Sequence, residues 1–387
     1  MWINLDELLG LPKVTVVNYR EIDGALFLKL KMKNEVMECP NCHKELEDIN
    51  QIEYNLVRDL SLLGKKVYLE VPRRQFHCEK CQKYITERLD FMRLRKHYTI
   101  RYEEKIYEQV KKKNVEEVRQ EEEISWGTLE SIFEEYAKQA EKKEWELPEK
   151  ISLDEFSNRK GKKDFITTVI DINKKELLEV IKGHKKEEII EALKVQPARV
   201  RENVKEVSVD MWEGFTSAIK ELFVNAKIVY DRFHVMKNIN EELNKLRKKM
   251  NIHKKGLTYL LWKNKEELKE EKREELEEIL KMYPCLGIAY EMKEEIRDIY
   301  EHSRTTNGAR RKFEKWMRTA SLFYKKSVGM LKTHLTGICN YFENHTTNGL
   351  TEGMNTKIKL IKRKSYGFAN FEHLRLKLLA CLGVTFS

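Results

Sequence analysis

TTNGLTEGMNTKIKLIKRKSYGF, residues Thr346 to Phe368, is the stretch on which the reading of this chain turns. A polar loop breaks at Gly349 into a helix that carries one carboxylate, Glu352, followed by Asn355, Lys357, Lys359, Lys362, Arg363 and Lys364. A lone acid at the head of a basic helix is either part of a solvated surface or a metal ligand beside a polyanion. The second reading follows from donor chemistry, because Mg²⁺ takes hard oxygen ligands while phosphates take Lys and Arg. It requires partner acids elsewhere in the chain.

Residues 151 to 235 supply them. ISLDEF, DFITTVIDI and KELLEVIKG read as three strands, KEEIIEALKVQP as a helix stopped at Pro197, and KEVSVDMW as a strand that exposes Asp210. GFTSAIKELFVNA returns as a helix, and KIVYDRFHVMKNI is one more strand running into a helix. Three antiparallel strands followed by β-α-β units is the order of an RNase H-like sheet, so the expected class is α/β. Asp154 and Asp210 each follow an apolar, β-branched run and are expected at or just beyond strand ends. Asp is disfavoured inside strands, so either alone could be a turn cap. With Glu352 they make a three-carboxylate set able to hold two divalent ions, Mg²⁺ with Mn²⁺ as substitute. Such a pair activates an attacking oxygen and stabilises a leaving one. Asp231 and His234, in YDRFHVM, form an Asp-x-x-His whose expected role is structural.

Between these acids and Glu352, residues 240 to 345 read as long charged helices with Glu/Lys pairs at i, i+4. They form an all-helical insertion. Arg310, Arg311 and Trp316 sit on one helix there and could meet an unpaired base, or Trp316 could be core. The carboxyl-terminal FANFEHLRLKLLACLG is amphipathic through Phe371, Leu374, Leu378 and Leu382, and is expected to pack on the sheet and fix the helix of Glu352.

Toward the amino terminus, VTVVNYREIDGALFLKLKM reads as a hairpin around Asp23-Gly24. CPNC (Cys39, Cys42) and CEKC (Cys78, Cys81) are two thiolate knuckles separated by a second hairpin around Gly64. Brought together, they form a four-sulfur site suited to structural Zn²⁺, as in a zinc ribbon. His97 to Lys143 changes to helical period: a stripe of Ile100, Ile106, Tyr107 and Val110, a short helix from Val115, and a third helix opening at Trp126 and Thr128. This is the outline of a helix-turn-helix, with Trp126 and Thr128 as DNA-contact candidates. Its acids, Glu121 to Glu123, Glu130, Glu134 and Glu135, disfavour close approach of phosphate.

The 387 residues are enough for several domains, and 74 Lys and Arg against 64 Asp and Glu leave a formal net charge of +10. That excess points to nucleic acid or another anionic partner. Neither a long apolar run nor a signal-peptide pattern is present, so a cytoplasmic, nucleoid-associated protein is expected. Cys285, Cys339 and Cys381 stand outside the knuckles and read as small core residues.

The knuckles, DEF with GKKDFITTVIDI, VSVDMW, VYDRFHVMKNI and above all TNGLTEGMNTKIKLIKRKSYGFANFEHLRLKLL resemble bacterial insertion-sequence transposases of the ISL3 family, over nearly the whole chain. The resemblance implies a DDE enzyme with Asp154, Asp210 and Glu352 as its acids. It implies Mg²⁺-dependent cleavage at element ends and strand transfer, with zinc and helix-turn-helix elements that recognise terminal inverted repeats. The Asp231/His234 pair matches a signature of related transposases. The expected domains are a zinc ribbon (1–95), a helix-turn-helix (96–148), the catalytic core (149–239 and 346–387) and the helical insertion (240–345). Lys357, Lys359, Lys362, Arg363 and Lys364 would line the phosphate path. The expected partners are double-stranded DNA, at element ends and target, and a second copy, because two ends must be paired. A zinc-containing DNA-binding regulator with an inert nuclease-like domain is the rival reading.

Overall fold

Asp23-Gly24 and Leu63-Gly64 have φ of +48°, +74°, +50° and +79°, the left-handed pairs that two-residue hairpin turns require. The computed structural model describes residues 4–157, 165–346, 349–365, 368 and 370–383, with backbone alone at 157 and 349–352. It forms two compact units that divide after Gln139.

In the first unit, α1 (Leu5–Leu9) leads into β1 (Val14–Ile22) and β2 (Ala25–Met32). The short β3 (Met37–Glu38) and β4 (Glu45–Leu46) follow, then β5 (Ile49–Leu62), β6 (Lys65–Cys78) and β7 (Lys83–Thr86). The larger sheet has the order β1-β2-β6-β5, with β7 also on β6. Leu28, Leu30, Val57, Leu69 and Val71 fill its core. Three helices complete the unit: α2 (Ile100–Lys112), α3 (Val115–Glu122) and α4 (Trp126–Ala140). Thr99 caps α2 and Asn114 caps α3, each side chain accepting from a backbone N–H of the first turn. Ile106, Val110, Val115, Val118, Leu129 and Phe133 are buried.

The second unit opens with β8 (Lys150–Ser157), β9 (Phe165–Asp171) and β10 (Glu176–Lys182), continues through α5 (Lys186–Lys194) and α6 (Ala198–Asn203), and returns as β11 (Glu206–Val209), α7 (Glu213–Leu222) and β12 (Lys227–Tyr230). The sheet order is β10-β9-β8-β11-β12. The first two pairings are antiparallel and the last two parallel. All of β11 is buried, the polar Glu206 and Ser208 as well as Val207 and Val209. The long helix α8 (Arg232–Lys249) leads away from β12 to α9 (Leu257–Trp262), α10 (Glu270–Met282), α11 (Pro284–His302), α12 (Thr306–Ala320) and α13 (Lys325–Asn344). Then come α14 (Gly349–Lys364) and α15 (Phe371–Leu382).

Two contacts lock helices to this sheet. Helix α13 lies so close on β12 that a Cβ at Gly337 would stand 2.5 Å from the Tyr230 ring. Asn340 Nδ2 there donates to the Ile228 carbonyl at 2.8 Å, covering part of an edge strand. On the other side, Met354 and Ile358 of α14 and Leu374 and Leu378 of α15 pack with Phe156, Ile166, Ile170, Leu177 and Val180. The buried Lys377 Nζ donates to the Lys364 carbonyl at 3.3 Å, near the end of α14.

Several expectations need correction. Strand β8 runs on to Ser157, so Asp154 lies within a strand, paired with Thr168, rather than at its end. Pro197 stops one helix but opens another, α6, because its ring fixes a φ of −55° that suits a helix start. Cys285 is exposed beside Pro284, although Cys339 is buried as expected. No described helix is long and apolar enough to cross a membrane. Gly337→Ala should push the Tyr230 ring aside and cost about 1–3 kcal/mol; a urea midpoint equal to that of the parent chain would show that the ring yields freely.

Candidate active site and metal centres

The last parallel rungs joining β8 to β11 pair Ser152 with Ser208, and the last joining β11 to β12 pairs Val209 with Tyr230. Continuing each register brings Asp210 level with Asp154 and Asp231 level with Asp210. Three acids therefore share one level across three neighbouring strands, at the end where open α/β sheets hold their ligands.

Each acid is fixed differently. Asp210 lies one residue past β11, half-buried, and its Oδ1 accepts from the Met211 N–H at 2.5 Å. His234 Nδ1, on the first turn of α8, is 3.4 Å from the same oxygen. Asp231 is buried and caps α8 by accepting from the Phe233 N–H at 3.1 Å. The Asp-x-x-His thus joins the cap of α8 to Asp210.

Asp154 receives a contact from α14. Asn355 Nδ2 donates to its Oδ2 at 2.5 Å, while Asn355 Oδ1 is buried without a partner among the described residues. Position 352 lies one turn earlier on the same helix face; the Glu352 side chain lies outside the described residues. Burial pushes the Asp154 carboxyl above its usual range, opposed by the Asn355 amide, the Glu155 N–H and His234, and reinforced by the Asp210 charge. Among the described residues, no Lys or Arg pairs with Asp154 or Asp210. Two acids kept close together with no fixed cation suit a divalent ion, which would hold both carboxylates in their charged form.

Cys39, Cys42, Cys78 and Cys81 do converge, their sulfurs all within 4.8 Å of one another. Cys39 to Cys81 is 3.8 Å and Cys42 to Cys78 is 3.6 Å. Burial opposes ionisation of Cys39, but the Asn41 and Cys42 N–H groups and neighbouring thiols bring it down to about 6, while Cys81, hydrogen-bonded to the same thiols, is pushed up to about 12. Four sulfurs this close together suit a tetrahedral Zn²⁺ site. Leu46 and Phe76 pack against it. His43 turns to Glu38, at 2.6 Å, and His77 packs against the Tyr84 ring at a tilt of 43°.

The acids of the helical part of this unit are engaged by bases within it. Lys113 holds Glu121 at 2.7 Å, Lys66 pairs with Glu123, and Arg93 with Lys96 holds Glu135. The negative character that weighed against DNA contact is thus met by nearby cations. Trp126 is half-buried under the Arg119 guanidinium, and Thr128 sits in the cap of α4 with its N–H on Ser125 Oγ at 3.1 Å.

In the second unit, Lys357, Lys359, Arg363 and Lys364 are exposed along α14, while Lys362 reaches over the Phe156 ring. Arg311 is exposed, and Arg310 donates to Thr336 Oγ1 at 3.2 Å. Trp316 is only 2% exposed and its Nε1 donates to the Met292 carbonyl. It is the core alternative that was realised, with no face left for a base.

Comparison with known proteins matches these parts in order. A zinc-finger model of transposases of the IS204/IS1001/IS1096/IS1165 group covers residues 35–81, a helix-turn-helix model of transposase family ISL3 covers 87–137, and an ISL3 DDE model described as transposase covers 151–378. The chain belongs to the ISL3 transposase family. It is 26% identical to the transposase for insertion sequence element IS1001 of Bordetella parapertussis, across 92% of this chain and 91% of that one. It is 24% identical to the transposase for IS1557 of Mycobacterium tuberculosis, over 63% of each chain. This transposase is accordingly an enzyme of DNA transposition, which binds DNA through its helix-turn-helix and carries a zinc ribbon.

Asn355 is the site residue to which sequence reading attached no role, although its position three residues after Glu352 places both on one helix face. Replacing it with Leu should cost about 1.5–3 kcal/mol, the scale of a hydrogen bond to a charged group. Asn355→Asp should cost more, by setting like charges together; denaturant titration of both variants checks the order. In the transposase ribbon, Cys78→Ser should lower bound zinc from about one per chain, as read by metal analysis after gel filtration. Undiminished zinc would remove Cys78 from the ligand set.

Proposed function

We propose that the sheet of the second unit, with α14 and α15, is an RNase H-like core in which Asp154, Asp210 and Glu352 carry out cleavage and strand transfer at the ends of an insertion sequence. The observation that carries this reading is the common level of Asp154 and Asp210 together with the Asn355 bond that draws the Glu352 turn of α14 toward β8. The strand order, with two antiparallel neighbours followed by two parallel ones, supports the same fold. On this reading the domains are 1–95, 96–148, 149–239 with 346–387, and the helical insertion 240–345.

The three acids would hold two Mg²⁺ ions, or Mn²⁺ in their place, and when bound such ions activate the attacking oxygen and stabilise the departing one. The chain's own residues do the rest. Asn355 orients one oxygen of Asp154, and the Met211 N–H fixes one of Asp210. His234, 3.4 Å from Asp210, lies where it restrains that carboxylate from the α8 side. Lys357, Lys359, Lys362, Arg363 and Lys364 line the approach as phosphate contacts, with Arg310 and Arg311 as further ones on α12. Terminal inverted repeats are recognised through the zinc ribbon and the helix-turn-helix, with Trp126 and Thr128 at the opening of its third helix. Pairing of two ends calls for a dimer or larger assembly on DNA.

Glu352→Gln removes the third charge and little else. It should fold with an unchanged melting temperature and lower end cleavage in Mg²⁺ by about a hundredfold or more. It should also weaken Mn²⁺ binding, followed by electron paramagnetic resonance. Parental cleavage from a normally folded variant would remove Glu352 from the site.

A further inference from the structure

An aromatic cluster flanks the two strand-borne acids, and the proposed chemistry leaves it unused. Trp212, two residues past Asp210, is 38% exposed. Its ring centroid lies 5.3 Å from that of His184 and 5.2 Å from that of Phe215, edge-on to the latter. His184 in turn stacks on Phe165 at 4.6 Å and 26°. Its Nδ1 lies 2.9 Å from Glu155 Oε2, the side chain next to Asp154. The cluster therefore lies beside both acid-bearing strands, with Trp212 after β11 and next to Glu155 on β8.

A single exposed apolar residue is ordinary. The indole here differs because it is held. A Cβ on Gly214 would lie 2.0 Å from its six-membered ring, so the ring lies across a glycine that leaves room for it. Phe215 and His184 brace it elsewhere. Lys182 and Lys185, on either side of His184 in sequence, are exposed, and the carboxylates of Glu155 and Glu213 also adjoin the cluster.

We propose that Trp212, backed by His184 and Phe165, is a stacking shelf for one unpaired nucleobase of the DNA strand engaged at the acids. The inference rests on the reading of Asp154 and Asp210 as the cleavage site. A base within a duplex has both faces covered, so the shelf selects a nucleotide turned out of its stack. The exposed π-surface takes the base, and Lys182 and Lys185 suit the adjoining phosphates. Base–aromatic stacking tolerates any base and is worth about 1–3 kcal/mol, so the shelf grips a nucleotide near the cut without reading its identity.

The test uses the full-length protein with no divalent ion added and, as probe, a single-stranded DNA of about 12 nucleotides containing one 2-aminopurine, whose fluorescence falls on stacking. The parent chain should quench the probe. Trp212→Ala should abolish the quench and raise Kd by about 5- to 150-fold, while Trp212→Phe should retain part of both. Gly214→Ala, which keeps the indole but displaces it, should also weaken the quench. An unchanged quench and Kd in Trp212→Ala, with Trp212→Phe equal to both, would overturn the proposal. Glu352→Gln should quench like the parent whatever its cleavage, so shelf and acids fail separately.

Discussion

The parallel register of β8, β11 and β12 is the constraint on which the site depends. Side chains alternate between the faces of a strand, so a slip of one residue in either pairing would send an acid to the opposite face. Burial on the strands guards against that slip: every residue of β11 is buried, Val207 and Val209 among them, and Ile151 and Leu153 of β8 are fully enclosed. Hydrophobic packing thus sets the position of carboxylates that packing alone would exclude. The Asn355–Asp154 hydrogen bond then joins a helix some 200 residues distant in sequence to the central strand, the two partners being separated by 201 positions.

Much of this was legible in the sequence because it rests on local pattern. The hairpins followed from Asp23-Gly24 and Gly64, the zinc knuckles from paired Cys-x-x-Cys, and the strands from β-branched runs. What escaped reading depends on partners remote in sequence. The continuation of β8 beyond Asp154 comes from its antiparallel pairing with β9, which carries on as far as Ser157 and Phe165. Trp316 and its basic neighbours fit a nucleic-acid motif as well as a core helix, and only the packing of α11 against α12 separates the two. Asn355 had no visible role until Asp154 stood opposite it. Cys285 reads like any small apolar residue, yet it lands on an exposed helix start.

Charge is used in two ways in this chain. The glutamates around the helix-turn-helix are matched by Lys66, Arg93, Lys96 and Lys113, which makes them part of the structure of that unit. The cations of α14 are mostly exposed, and Asp154 and Asp210 have no Lys or Arg counterpart among the described residues. Matched charges contribute little field beyond their own neighbourhood, whereas unmatched ones project it. The excess of basic residues is therefore less informative than its placement on the helix that carries Glu352.

The contact of Gly337 with Tyr230 bears on how such a protein can change over evolutionary time. Helix α8 departs from the end of β12 and α13 comes back onto the same strand, so the helices between them form a closed excursion with both feet on one short edge. Its helices share one core with the sheet, so its loops can lengthen or shorten without disturbing the register provided that core stays filled and the returning helix keeps a residue without a side chain where the tyrosine lies. The excursion can thus diverge at its turns while the acid-bearing framework stays as it is.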